Sequence, residues 1–170
     1  MTAYVALLRA VNVGGRKLIM KDLKAIGEEL GLASPRTFIA SGNLLFASRA
    51  TVAELREMIE ARVGQHMRAD VSVLIRTAKE MADVAAANPF AELPGSKVAA
   101  IFLNQAPSHN ALESAGGIID ERLALGRREI YVAYPSGMGR SKLRLPAAAA
   151  GTARNINSVA KMAELAREME

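Results

Sequence analysis

A chain of 170 residues with 51% hydrophobic and 23% charged residues has the make-up of an ordinary globular protein, long enough for one core or two small ones. The absence of cysteine excludes disulfides, thiolate nucleophiles and cysteine-bound zinc together, and it suits a reducing cytoplasm. The net charge of +5 is unevenly spread: Arg9 to Lys24 holds five basic residues and one acidic, and Gly126 to Lys161 seven and one, so the remainder is acidic. Such concentration favours phosphates, carboxylates or nucleic acid as partners over cations.

The opening Met1-Thr2-Ala3-Tyr4 lacks a basic leader region and Arg9 interrupts the early apolar run, so neither a signal peptide nor a membrane span is expected. Tyr4 to Leu8 is uniformly apolar, as a strand buried on both faces would be. Met20, Leu23, Ile26 and Leu30 recur at helical spacing, with Gly31 placed to end that helix. Arg36 to Ala40 and Leu44 to Ala47 read as short strands around the turn Ser41-Gly42-Asn43. Thr51 with Glu54 is a capping-box signature ahead of Leu55, Met58, Ile59 and Val63, and Val71 to Ile75 is a fourth strand. The order β-α-β-β-α-β over residues 1–76 is the split βαβ, ferredoxin-like pattern.

Thr77 with Glu80 opens another helix, which Asn88-Pro89 closes, so residues 77–96 form a connecting helix and linker. Over residues 97–170, Val98 to Leu103 is a strand, Ser108 to Ala115 a short helix, and Ile119 to Leu125 and Ile130 to Tyr134 two strands around Gly126-Arg127-Arg128. Asn157 has the position of an N-cap for a last helix carrying Val159, Met162, Leu165 and Met169. The expected architecture is α+β: two ferredoxin-like halves in tandem, with antiparallel sheets covered by helices.

The segment Leu7 to Lys17 carries the first candidate site. Arg9 and Asn12 break an apolar run, and Gly14 and Gly15 permit close approach of a ligand to the backbone. In a split βαβ sheet the end of the first strand lies beside the turn before the third, so Arg9 and Asn12 are expected next to Ser41, Gly42 and Asn43, with Arg16 and Lys17 nearby. A guanidinium, amides, a hydroxyl and loop N–H groups together suit a phosphate or carboxylate. The C-terminal stretches Gly137 to Lys142 and Thr152 to Asn157 add Ser141, Lys142, Arg154, Asn155 and Asn157, the last group entering a helix N-terminus, again a setting for an anion. The same asparagines and glycines would also serve turns that bind nothing.

At these residues the chain resembles a bacterial family classified as domain of unknown function 1697. Its members open with L-L-R-G-I-N-V-G-G, continue with T-Y-I-Q-S-G-N, carry an N-P-F, and close with G-x-G-x-S-K-L and T-x-R-N-W-N-T. Here the corresponding stretches are Leu7 to Gly15, Thr37 to Asn43, Asn88-Pro89-Phe90, Gly137 to Leu143 and Thr152 to Ser158. The resemblance implies a two-part ferredoxin-like fold and names no substrate or mechanism. Ala10, Ala40, Ile156 and Ser158 stand where the family has glycine, glutamine, tryptophan and threonine, so no stacking or amide contact made by that tryptophan or glutamine is carried over.

Other chemistries find little in the sequence. His66 and His109 are far apart, which argues against a metal site, and neither a Walker A motif nor G-x-G-x-x-G occurs. Asp70, Asp120 and Glu121 read as solvated or capping carboxylates, and no general base is evident. Aromatics at 4% argue against an RNA-stacking sheet, and Phe38, Phe46, Phe90, Phe102 and Tyr131 read as core or half-core. The leading expectation is a cytoplasmic protein that binds a small anionic ligand, phosphorylated or nucleotide-like, with its cofactor and any reaction unnamed. The alternatives are a nucleic-acid-associated module using the basic segments and a protein-interaction domain; no membrane association is expected.

Overall fold

A computed structural model describes residues 1–9 and 17–170. The chain divides into two compact units, Met1–Met81 with Met162–Glu170, and Ala82–Lys161. In chain order the described elements are β1 (Thr2–Leu8), α1 (Met20–Glu29), β2 (Ala33–Thr37), β3 (Asn43–Ser48), α2 (Val52–Met67), β4 (Val73–Thr77), α3 (Ala78–Ala86), β5 (Val98–Phe102), β6 (Arg122–Leu125), β7 (Glu129–Ala133), β8 (Thr152–Asn155) and α4 (Ile156–Arg167).

In the first unit the sheet order is β2-β3-β1-β4 and each neighbouring pair is antiparallel. Alternation along each strand sends Tyr4, Ala6, Leu8, Leu44, Phe46, Val73 and Ile75 into one core with Leu23 and Ile26 of α1 and Leu55, Ile59 and Val63 of α2. The other face, with Val5, Leu7, Asn43, Leu45, Leu74 and Arg76, is buried too, which is why β1 shows no polar alternation in sequence. Both capping boxes form. Thr51 accepts from the Glu54 N–H and Glu54 returns a carboxylate to the Thr51 N–H; Thr77 and Glu80 do the same at the start of α3.

Strand β2 departs from expectation: it spans Ala33–Thr37 rather than Arg36 to Ala40. Ser34 has φ 49°, the register to β3 shifts between Ala33 and Arg36, and Ile39 turns at φ 50°. Proline within this edge strand is tolerated because an edge need not donate every N–H, and the bulge displaces the run toward its N-terminal end. Strand β4 is likewise Val73–Thr77, which carries Arg76 into the sheet.

The second sheet repeats the spatial order, β6-β7-β5-β8, again antiparallel throughout. Leu103, Ile130 and Val132 form its core on one face, covered by Leu112, Leu123, Tyr134, Leu143, Leu145 and Ala148. Three expectations are corrected here. Residues Ser108 to Ala115 hold only a 3-10 turn, Ala111–Ser114. The expected strand Ile119 to Leu125 is shortened to Arg122–Leu125, because the Glu121 carboxylate accepts the Ile119 N–H and turns the chain. Residues Thr152–Asn155 are a strand, and the last helix is capped not by Asn157 but by Asn155, whose side chain accepts the Ser158 N–H at 2.9 Å.

That correction exposes a repeat hidden from the sequence. Each half ends its sheet with a buried arginine, Arg76 or Arg154, followed by a capping residue, Thr77 or Asn155, and then a helix.

Tyr131 gives the fold a measurable alkaline signature. Its hydroxyl donates to the Val84 carbonyl at 2.8 Å, and burial, reinforced by the Glu129 charge, pushes its ionisation up to about 12. A tyrosine in the unfolded chain ionises near 10. Between those values the unfolded state has released a proton that the native state keeps, so stability falls as pH rises through the window. Burial and the Glu121 charge raise Tyr134 as well. Urea unfolding at stepped alkaline pH is expected to show this decline, and Tyr131→Phe is expected to make it shallower without abolishing it.

Candidate functional site

Pairing of β1 with β3 decides the geometry of the first candidate site. Leu7 lies opposite Asn43, and the Leu8 N–H donates to the Gly42 carbonyl at 2.9 Å, so the end of β1 is held against the turn before β3. Arg9 follows directly, half-buried, its N–H donating to the Ser72 carbonyl at 2.9 Å. Arg9, Ser41, Gly42 and Asn43 are therefore brought together at one end of the first sheet, as the topology predicts.

Asn43 is fully buried and shapes the turn. Its Nδ2 donates to the Phe38 carbonyl at 2.8 Å and to Ser41 Oγ at 3.0 Å. Ser41 Oγ is the acceptor in that bond. Gly42 sits at φ 89°, a conformation that disfavours any side chain. This end of the sheet thus carries an arginine at a strand terminus and a hydroxyl on a turn locked by a buried amide. Lys17, just before α1, is exposed. The expected contributors Asn12, Gly14 and Gly15, with neighbouring Arg16, lie outside the described residues.

The C-terminal candidates fall in the second unit and do not form one group. Arg154 pairs across β5 with Ala100, placing its side chain on the face opposite the Ile130 and Val132 core, whereas Ser141 lies in the loop that covers that core. The Arg154 guanidinium donates to Thr152 Oγ1 at 2.8 Å and to the Ala153 carbonyl at 2.9 Å. Burial lowers its ionisation to about 10, still far above neutrality. Asn155 is engaged as the helix cap, and the exposed Asn157 lays its amide over Gly95, where an added Cβ would come within 2.1 Å of Oδ1. Lys142 is exposed.

Ser141 has a setting that sequence did not reveal. It donates to Glu121 Oε1 at 3.3 Å and accepts the Leu143 N–H at 3.2 Å, while Glu121 is only 8% exposed. Glu121 read as a solvated carboxylate because the Gly137 to Leu143 stretch that buries it is distant in sequence. Arg76, 2% exposed, was also missed, since the apolar run before it reads as the whole strand. Among the described residues no group of three or more histidine, aspartate, glutamate or cysteine side chains could hold a metal ion, and no helix is long and apolar enough to cross a membrane.

A family model described as "Protein of unknown function (DUF1697)" matches residues 1–131, a span that includes Arg9 and the Ser41 turn. Among solved structures, one described as a conserved bacterial protein from Streptococcus pneumoniae is 22% identical, with a TM-score of 0.78 over 98% of this chain and 99% of that one. At this identity the likeness speaks for the fold. No curated protein matches the chain.

Proposed function

The chain belongs to the family of unknown function DUF1697, and we propose that it binds a small anionic ligand, phosphorylated or nucleotide-like, at the end of the first sheet through Arg9, Ser41 and the Gly42 turn. The observation that supports this reading is the bond from the Leu8 N–H to the Gly42 carbonyl, which holds the end of β1, where Arg9 follows, against the turn that carries Ser41. Arg9 also opens the basic stretch to Lys24, whose field draws anions toward this end. Asn12, Gly14, Gly15 and Lys17 join the reading on sequence grounds. Lys142, Arg154, Asn155 and Asn157 do not enter it, so it stands on the first unit alone. The shared strand order supports a ferredoxin-like reading of both halves, and a chain without cysteine is at home in the cytoplasm, where phosphorylated metabolites are plentiful.

Thermal-shift measurements against pyrophosphate, nucleotides and sugar phosphates test the proposal. Stabilisation by one of these compounds is expected to persist at moderate salt. Arg9→Ala is expected to weaken that compound's binding by about ten- to a hundredfold, the worth of a hydrogen bond to a charged group. Equal stabilisation of wild type and Arg9→Ala would overturn the assignment. Stabilisation only by oligonucleotides, lost steeply as salt rises, would replace it with backbone-directed nucleic-acid binding.

A further inference from the structure

The second unit holds a cavity of about 160 Å³, lined by Ile119, Asp120, Glu121, Ser136, Arg140 and Ser141 with Gly137. We propose that it is a binding site for a small zwitterion of the α-amino acid type, separate from the anion site of the first unit.

Size sets the first limit. An engineered protein cavity of about 150 Å³ admits benzene, so this one suits a ligand of roughly six non-hydrogen atoms. Hydrogen-bond polarity sets the second. The Ser136 hydroxyl donates to Asp120 Oδ2 and the Ser141 hydroxyl to Glu121 Oε1, so both hydroxyl hydrogens are already committed to carboxylates. What these four side chains offer a ligand is oxygen lone pairs and two negative charges, the complement of an ammonium with its three donors. Glu121 is anchored for that role, since its Oε2 also accepts the Ile119 N–H at 3.1 Å and its side chain is buried.

Arg140 supplies the opposite pole. Arg140 lines the same cavity from an exposed position, and its guanidinium makes no hydrogen bond or ion pair among the described residues. An arginine on the same rim as the two carboxylates is complementary to a carboxylate held a few bonds from an ammonium. A simple anion would meet Asp120 and Glu121, so the anion expected at Ser141 from sequence is disfavoured here. A metal ion is disfavoured as well, because two carboxylates and two hydroxyls already bonded to them form a sparse ligand set.

Titration of the isotopically labelled full chain with L-alanine, followed by backbone amide shifts, tests the site. Saturable shifts are expected in residues 117–121 and 136–143, with propionate and ethylamine, each carrying one pole, binding about tenfold or more weakly. Arg140→Gln and Asp120→Asn, both at exposed positions, are each expected to weaken alanine about tenfold. Glu121→Gln is expected to do at least as much, and the two exposed variants carry the test if it does not fold. The proposal is overturned if alanine produces no saturable shift there, if propionate, ethylamine or magnesium chloride matches it, or if both exposed variants bind as wild type does. None of these outcomes depends on whether Arg9 binds phosphate.

Discussion

Replacing Gly117 by alanine is expected to destabilise the second unit by about 3 kcal/mol or more, combining left-handed backbone strain with a steric clash. Gly117 has φ 71°, and an added Cβ would lie 2.1 Å from the Lys142 carbonyl oxygen and 3.0 Å from its carbon. Those are backbone atoms, so the clash cannot be relieved by a rotamer change. Next to it, Gly116 and Arg144 exchange two backbone hydrogen bonds of 2.8 Å, the clasp that fastens the long loop after β7. That loop brings Leu143 and Leu145 onto the Ile130 and Val132 core and Ser141 onto Glu121. Urea unfolding is the measurement. Gly139→Ala is the control, since nothing lies within 4 Å of a Cβ there and its φ is not positive; it is expected to stay within about 0.5 kcal/mol of wild type. A Gly117→Ala protein as stable as that control would remove the clasp from the account.

Phe46→Ala is expected to cost the first unit about 3–5 kcal/mol, the range for emptying a buried aromatic position. Phe46 is 0% exposed and lies directly opposite Tyr4 across β3 and β1, with the ring centroids 5.9 Å apart. It is central to the core shared with α1 and α2, so little can collapse into the space it leaves. The same pairing of β1 with β3 carries Arg9 to the Ser41 turn. Loosening it is therefore expected to weaken phosphate-dependent stabilisation as well as lower the urea midpoint. A Phe46→Ala loss below about 1 kcal/mol would show that the sheet is held together elsewhere.

The first half was legible because its signals agree with one another. Helical spacing in α1, the Thr51 capping box and the apolar runs of β1 and β3 all point to the same order of elements, and the order alone brings Arg9 to the Ser41 turn. The second half was less so, for identifiable reasons. Strand β8 reads Thr-Ala-Arg-Asn, with only Thr152 and Arg154 buried; a buried arginine looks polar to any hydrophobic pattern, so the strand passed for the approach to a helix. Residues Ala111–Ser114 have helix-forming composition, but the segment is too short for more than a 3-10 turn. Within the candidate sites, Arg9 with Ser41 followed from topology. The contact between Glu121 and Ser141 depends on how an irregular loop folds back, which local periodicity does not encode, and Arg76 was concealed by placing the end of β4 one turn of alternation too early.

The central claim is tested most directly by mapping backbone amide shifts of the full chain on titration with pyrophosphate and with a nucleotide. The account predicts saturable shifts gathered at Leu8, Arg9, Ser41, Gly42, Asn43 and Ser72, and their loss in Arg9→Ala. Shifts absent from this end of the first sheet, or confined to the basic stretch from Gly126 to Lys161, would contradict it.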